Sequence, residues 1–136
     1  MKHEQDTTPI PTELELAILN VLWAIGPGTV REIQQVLIRT RKAGYTTVLK
    51  LLQIMTKKKL VVRDESTHAH IYEANCSRQN TQKRLVNDLM RKAFGGSSLH
   101  LASTLFSDET LSKPEFERLR NEILTLRNNT EKNGDD

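Results

Sequence analysis

Few residues in this chain could do chemistry on a ligand. The four histidines, His3, His68, His70 and His100, and the single cysteine, Cys76, are the candidates for acid–base, nucleophilic or metal work. His68-Ala69-His70 has a chelating spacing and Cys76 follows close behind, so a metal- or redox-responsive site on these three is one reading. Against it, the pair sits in a polar stretch of turn type, where such residues commonly serve solvation alone. No nucleophile elbow, glycine-rich phosphate loop or His-Glu-x-x-His is present, so neither an enzyme nor a cofactor is expected.

The stronger signal is charge. Between residues 31 and 63 stand nine cations, Arg31, Arg39, Arg41, Lys42, Lys50, Lys57, Lys58, Lys59 and Arg63, against Glu32 alone, a local net of +8 in a chain whose total is +3. Residues 1–30 and 107–122 are net −3 and −2. Positive charge gathered into one third of a nearly neutral chain suits one face to a polyanion, because phosphate neutralisation releases counterions. A solvated basic face with no partner would carry the same pattern.

Those residues need elements to position them. Thr12-Glu13-Leu14-Glu15 is a capping box that predicts a helix start. Leu14, Ile18, Val21, Leu22 and Ile25 then fall at helical spacing, flanked by Trp23, until Gly26-Pro27-Gly28. Thr29-Val30-Arg31-Glu32 repeats the box for a second helix on Val30, Ile33, Val36 and Leu37, fraying through residues 39–43. From about Tyr45 a third helix turns Val48, Leu51, Leu52 and Met55 inward and ends in Lys57-Lys58-Lys59. The runs Leu60-Val61-Val62-Arg63 and Ile71-Tyr72-Glu73-Ala74, separated by a polar turn, predict a hairpin. Helix, helix, helix, hairpin is the winged helix-turn-helix order, in which the third helix enters the major groove.

On that architecture Tyr45, Thr46, Thr47 and Lys50 form the outer face at the start of the third helix. Threonine offers a hydroxyl and a methyl, and lysine donates to guanine or phosphate, so Lys50 is the leading base-reading candidate. Thr46 is alternatively the helix cap. Gln53, Thr56, Lys57 and Lys58 lie further along, toward phosphates. Arg31 in the first turn of the second helix, Arg41 and Lys42 before the third, and Arg63, His68 and His70 on the wing complete the expected contacts.

From Ser77 a second module is expected. Leu85, Val86, Leu89, Met90, Ala93 and Phe94 pattern a long helix up to Gly95-Gly96, and Leu99, Ala102, Leu105 and Phe106 a short one. Ser112-Lys113-Pro114-Glu115 is a third capping box, followed by Phe116, Leu119, Ile123 and Leu126 as a heptad seam. Two heptads are too short to hold a coiled coil alone, so the seam is expected to join the preceding helices in an interlocked dimer core. The organisation read from the sequence is thus mainly α with a small β hairpin: a winged helix-turn-helix domain over residues 10–76, a helical dimerisation module over residues 77–127, and flexible tails at 1–9 and 128–136.

Composition bounds the rest. At 136 residues with 37% apolar and 4% aromatic content, a large self-sufficient core is not expected and a partner subunit should complete it. Apolar runs are only a few residues long, far short of the roughly 20 that span a bilayer, and the polar start carries no secretory core, which predicts a cytoplasmic protein without membrane insertion. One cysteine excludes disulfide-stapled and zinc-finger classes.

The residues also resemble a known family. Pro11-Thr12-Glu13-Leu14-Glu15 through Val21-Leu22-Trp23, Gly26-Pro27, Thr29-Val30-Arg31-Glu32-Ile33, Tyr45-Thr46-Thr47-Val48 with Leu51-Leu52, His70-Ile71-Tyr72, Phe94-Gly95-Gly96-Ser97 and Leu119-Arg120 together are similar to the penicillinase-repressor (BlaI/MecI-type) transcription regulators. The likeness spans about residues 10–127. It implies a homodimeric repressor whose winged helices bind the halves of a palindromic operator in double-stranded DNA. It implies also a membrane metallopeptidase sensor whose activation leads to repressor cleavage in the C-terminal module. Members of the β-lactam-response type are cut at an Asn-Phe bond; aligned on Leu111, this chain carries Thr104-Leu105 there, which marks the candidate cleavage region. The Cys-x-Cys pattern of the copper-responsive branch is absent. Besides the metal-responsive regulator, a winged helix used for protein binding is the rival reading.

Overall fold

Why the chain folds as it does begins at its caps. The computed structural model of the protein describes residues 8–107 and 111–134. Thr12 caps α1 (Glu13–Ile25): its hydroxyl accepts from the Glu15 N–H while the Glu15 carboxylate accepts from the Thr12 N–H. Thr29 and Glu32 do the same for α2 (Val30–Leu37). Gly44, without a side-chain bond, caps α3 (Tyr45–Lys57), so Thr46 lies inside the helix and its hydroxyl is not the cap.

Strands β2 (Val61–Asp64) and β3 (Ile71–Ala74) make the expected antiparallel hairpin, with Arg63 opposite Tyr72. A strand not legible in the sequence, β1 (Gly28–Thr29), pairs with the other edge of β3, giving the order β1-β3-β2. Two residues are too few to show any periodicity, but they tie the wing to the entrance of α2. The order α1-β1-α2-α3-β2-β3 is that of a winged helix.

The core lies between these helices and the sheet. Ile18, Leu19, Leu22, Ile33, Leu37, Val48, Leu52, Met55, Leu60, Val61 and Tyr72 are buried together. Ile25, expected inward, is instead exposed, because α1 ends there and Gly26 turns the chain away at φ 82°. Leu19 takes an inward place that strict spacing from Leu14 does not mark.

One charged group is inside. Glu15 is 1% exposed, and besides capping α1 its carboxylate accepts from Lys58 Nζ at 2.9 and 3.1 Å. Burial pushes its pKa up, but the Thr12 N–H, the Lys58 ammonium and the Thr12 hydroxyl outweigh that and hold it below the ordinary carboxylate value. Lys58 is the C-cap of α3, and its ammonium group fastens the end of α3 to the start of α1, a contact its place in the lysine run did not suggest.

Helices α4 (Arg78–Ala93), α5 (Ser98–Ser107) and α6 (Lys113–Gly134) follow. The chain divides into two compact units, Met1–Val86 and Asn87–Asp136, and the division falls inside α4. In the second unit no described residue is fully buried, and Leu89, Leu99, Leu105, Phe116, Ile123 and Leu126 are exposed. The Ser112–Glu115 box opens α6 as expected. The helix then runs to Gly134, past the apolar seam into the polar segment expected to be a tail, with an Arg127–Glu131 pair and a Thr130 hydroxyl bonded to the Leu126 carbonyl along it. No helix among the described residues is long and apolar enough to cross a membrane.

The buried carboxylate gives a test of this packing. Lys58→Met strands Glu15 and is expected to cost roughly 1–3 kcal/mol at neutral pH. Because the folded pKa of Glu15 is depressed, the stability it contributes is complete above the ordinary carboxylate range and is lost as pH falls through the folded value. Urea titrations of both proteins should therefore show the gap between them narrowing on acidification. A gap that stays constant would contradict a charged Glu15 held by Lys58.

Candidate nucleic acid interface

With Val48, Leu52 and Met55 in the core, the helical period turns Thr46, Thr47, Lys50, Gln53 and Lys57 outward, and all five are exposed. Tyr45, at the first turn, is 48% exposed. The start of α3 thus presents hydroxyls, an aromatic ring and one ammonium group with no acidic residue in its first turn.

Three elements meet beside that face. Thr29, Val30 and Arg31 from the start of α2, Tyr45 and Leu49 from α3, and His68, Ala69, His70 and Tyr72 from the wing line a cleft of about 380 Å³. Arg31, Tyr45 and His70, picked from separate stretches of sequence, are thereby gathered around one concavity, and each is solvent-exposed. β1 is what makes this possible, since its pairing with β3 brings the wing against the α2 entrance.

Other candidates lie elsewhere. Arg41 and Lys42 line a different groove of about 960 Å³ with Leu14, Leu16, Ala17, Val21 and Val36, and Arg41 pairs with Glu13 at 3.0 Å. That pair is solvent-exposed and holds the arginine only weakly. Arg63 on β2 pairs with Glu65. A hydrogen bond to Tyr72 above all, and Glu65 besides, raise its pKa beyond the ordinary guanidinium value. The lysines at the end of α3 differ in surroundings: Lys57 is exposed, whereas Lys58 pairs with Glu15. Sequence reasoning missed that pairing because charge runs do not say which member finds a distant carboxylate.

In the second unit, Phe106 and Phe116 meet edge to face at 5.3 Å, as do Phe94 and His100. Leu85, Phe94 and Leu119 are half-buried, while Leu89, Leu105, Phe116, Ile123 and Leu126 are exposed. Thr104 and Leu105 lie within α5, both exposed, the Thr104 hydroxyl bonded to the His100 carbonyl at 2.9 Å.

The metal reading finds little support in the geometry. Among the described residues no group of three or more His, Cys, Asp or Glu could hold a metal ion. His70 and Cys76 flank opposite ends of β3, whose four residues alone span about 13 Å. The Cys76 thiol instead donates to the Leu60 carbonyl at 3.8 Å.

The sequence profile of the penicillinase repressor family matches residues 11–125. The transcriptional regulator BlaI of Mycobacterium tuberculosis, in strains CDC 1551 / Oshkosh and ATCC 25618 / H37Rv, is 31% identical over 115 residues, which are 84% of this chain and 83% of that protein. The solution structure of the Bacillus licheniformis BlaI monomeric form in complex with the blaP half-operator aligns with a TM-score of 0.47 at 19% identity, over 54% of this chain and 89% of that one.

Zinc or copper added to the protein is expected to leave its melting temperature unchanged. A stabilisation that His68→Ala removes would restore the metal-responsive reading.

Proposed function

The chain belongs to the penicillinase repressor family of transcriptional regulators, and from that premise we propose that it represses transcription by binding a palindromic operator in double-stranded DNA as a homodimer. The family is one of regulators and not of enzymes. The observation that carries the proposal is the outward face of α3. It is exposed, cationic and free of acidic side chains in its first turn, and it adjoins the cleft shared with α2 and the wing.

In this reading α3 lies in the major groove. Lys50, with Thr46 and Thr47 beside it, meets base edges, while Tyr45, Arg31, Lys57 and His70 meet the phosphate backbone on either side. Arg41, Lys42 and Arg63 add positive charge around the contact. Two chains set their α3 helices in successive major grooves. The exposed apolar side chains of the second unit, Leu89, Leu105, Phe116, Ile123 and Leu126, together with Leu85, Phe94 and Leu119, form the surface that pairs the chains. Exposure of so many large apolar groups is otherwise costly in water.

Release would follow from weakening that pairing. Cleavage by a membrane metallopeptidase sensor in the region of Thr104-Leu105 is the route family membership suggests. The exposure of α5 supports it, although a protease must first unwind that helix to read an extended chain.

Two expected outcomes test the proposal on an operator selected from genomic fragments. Lys50→Ala should cost about 1–3 kcal/mol and relax preference at one base step, while Lys57→Ala should weaken all DNA alike and lower the salt slope by about one. Equal losses on operator and random DNA for both would remove Lys50 from the base-reading set. Leu119→Glu with Ile123→Glu should yield a monomer by sedimentation that keeps its winged helix but loses operator affinity, since each half-site alone binds weakly. Undiminished operator binding by a demonstrated monomer would overturn the dimer.

A further inference from the structure

The connection from the wing to α4 is bonded at every residue. The Asn75 N–H donates to the Leu60 carbonyl at 2.9 Å, and its side-chain amide donates to the Lys59 carbonyl at 3.0 Å. The Cys76 carbonyl accepts from Trp23 Nε1 of α1 at 2.9 Å. The Ser77 hydroxyl accepts from the Asn80 N–H, and its carbonyl accepts from the Thr81 hydroxyl at 2.8 Å, Thr81 being buried. Arg78, the first residue of α4, holds its guanidinium 5.8 Å from the centroid of the Trp23 ring, and Arg84, two turns on, donates to the Thr8 hydroxyl at 2.9 Å. A loop that merely linked two modules would need none of this.

α4 then continues as one helix to Ala93, across the division between the two units. Its 16 residues extend about 24 Å, so a swing of about 10° at its base moves its far end by about 4 Å. That is more than the roughly 3.4 Å that separates successive base pairs. Small freedom at the base of α4 is therefore equivalent to a one-base-pair error in where a tethered partner must bind.

We infer that Trp23, through the Cys76 carbonyl and the Arg78 guanidinium, is a positioning residue that fixes the direction in which α4 leaves the winged helix and so sets the half-site separation the dimer accepts. The inference rests on the dyad-operator reading above. Trp23 touches no DNA in that reading; it acts through α4.

The test uses the full-length protein and a Trp23→Phe, Arg78→Ala variant, which keeps an aromatic ring in place but removes the indole donor and the stacked cation. Both are titrated with a single half-site and with dyads whose half-site separation is changed one base pair at a time. The parent should prefer one separation by at least about tenfold, whereas the variant should bind all neighbouring separations within about threefold, with half-site affinity unchanged. Unchanged half-site affinity also reports that the winged helix is folded; if Trp23→Phe impairs folding, Arg78→Ala alone, on an exposed position, carries the comparison. A variant as selective as its parent would overturn the inference. A parent indifferent to separation would refute the dyad reading, and the spacing role with it.

A second measurement does not depend on DNA. Spin labels at Asn20→Cys and Lys83→Cys in a Cys76→Ser background, with labelled chains diluted into unlabelled protein, should give one narrow intrachain distance that broadens in the variant. Equal widths would show that the joint does not direct α4.

Discussion

The fold turns on a single carboxylate. Glu15 closes the first turn of α1 on Thr12 and, from the same buried position, holds Lys58 at the far end of α3. A carboxylate without water is tolerable only when its oxygens are satisfied, and here the Thr12 backbone N–H and the Lys58 ammonium group satisfy them. The pair therefore registers α3 against α1 in a way apolar packing alone, which is non-directional, does not. Since α3 carries the exposed face at Tyr45, Thr46, Thr47 and Lys50, the orientation of that face is tied to a contact on the opposite end of the helix.

From that register the surface follows. Val48, Leu52 and Met55 occupy the core, and the remaining positions of α3 are turned out by the helical period. β1 holds the wing against α2, so Arg31, Tyr45 and His70 converge although the sequence separates them. The second unit differs in kind, for its helices form but none of its described residues is fully buried. A helical module without a core of its own fits the proposed pairing with a second chain, in which two linked winged helices would gain through effective concentration what each lacks in affinity.

Much of this was legible in the sequence, because the signals involved are local. Three capping boxes marked α1, α2 and α6, helical spacing marked the inward residues of α3, and alternating short runs marked the hairpin. What the sequence hid is long-range. Lys58 looks like any member of a lysine run until Glu15, 43 residues away, is placed beside it. Trp23 reads as a flank of an apolar stripe, and only the fold shows its indole N–H on the Cys76 carbonyl. β1 is too short to have a pattern, and α6 outlasts its apolar seam through backbone bonds and an Arg127–Glu131 pair that hydrophobic periodicity does not register. Thr46, a reasonable cap by residue type, yields that place to Gly44, whose extended backbone geometry meets the requirement without a side chain.

Recognition of a particular DNA sequence by paired winged helices is the proposed function. Its most direct test is a titration of labelled DNA from upstream of the protein's own gene, at about 50 and about 200 mM salt, with random DNA as competitor. Paired winged helices should give two chains per site, resistance to the competitor and a steep fall in affinity with salt. Binding no tighter than to random DNA, for that region and for every fragment the protein selects from the genome, would contradict it.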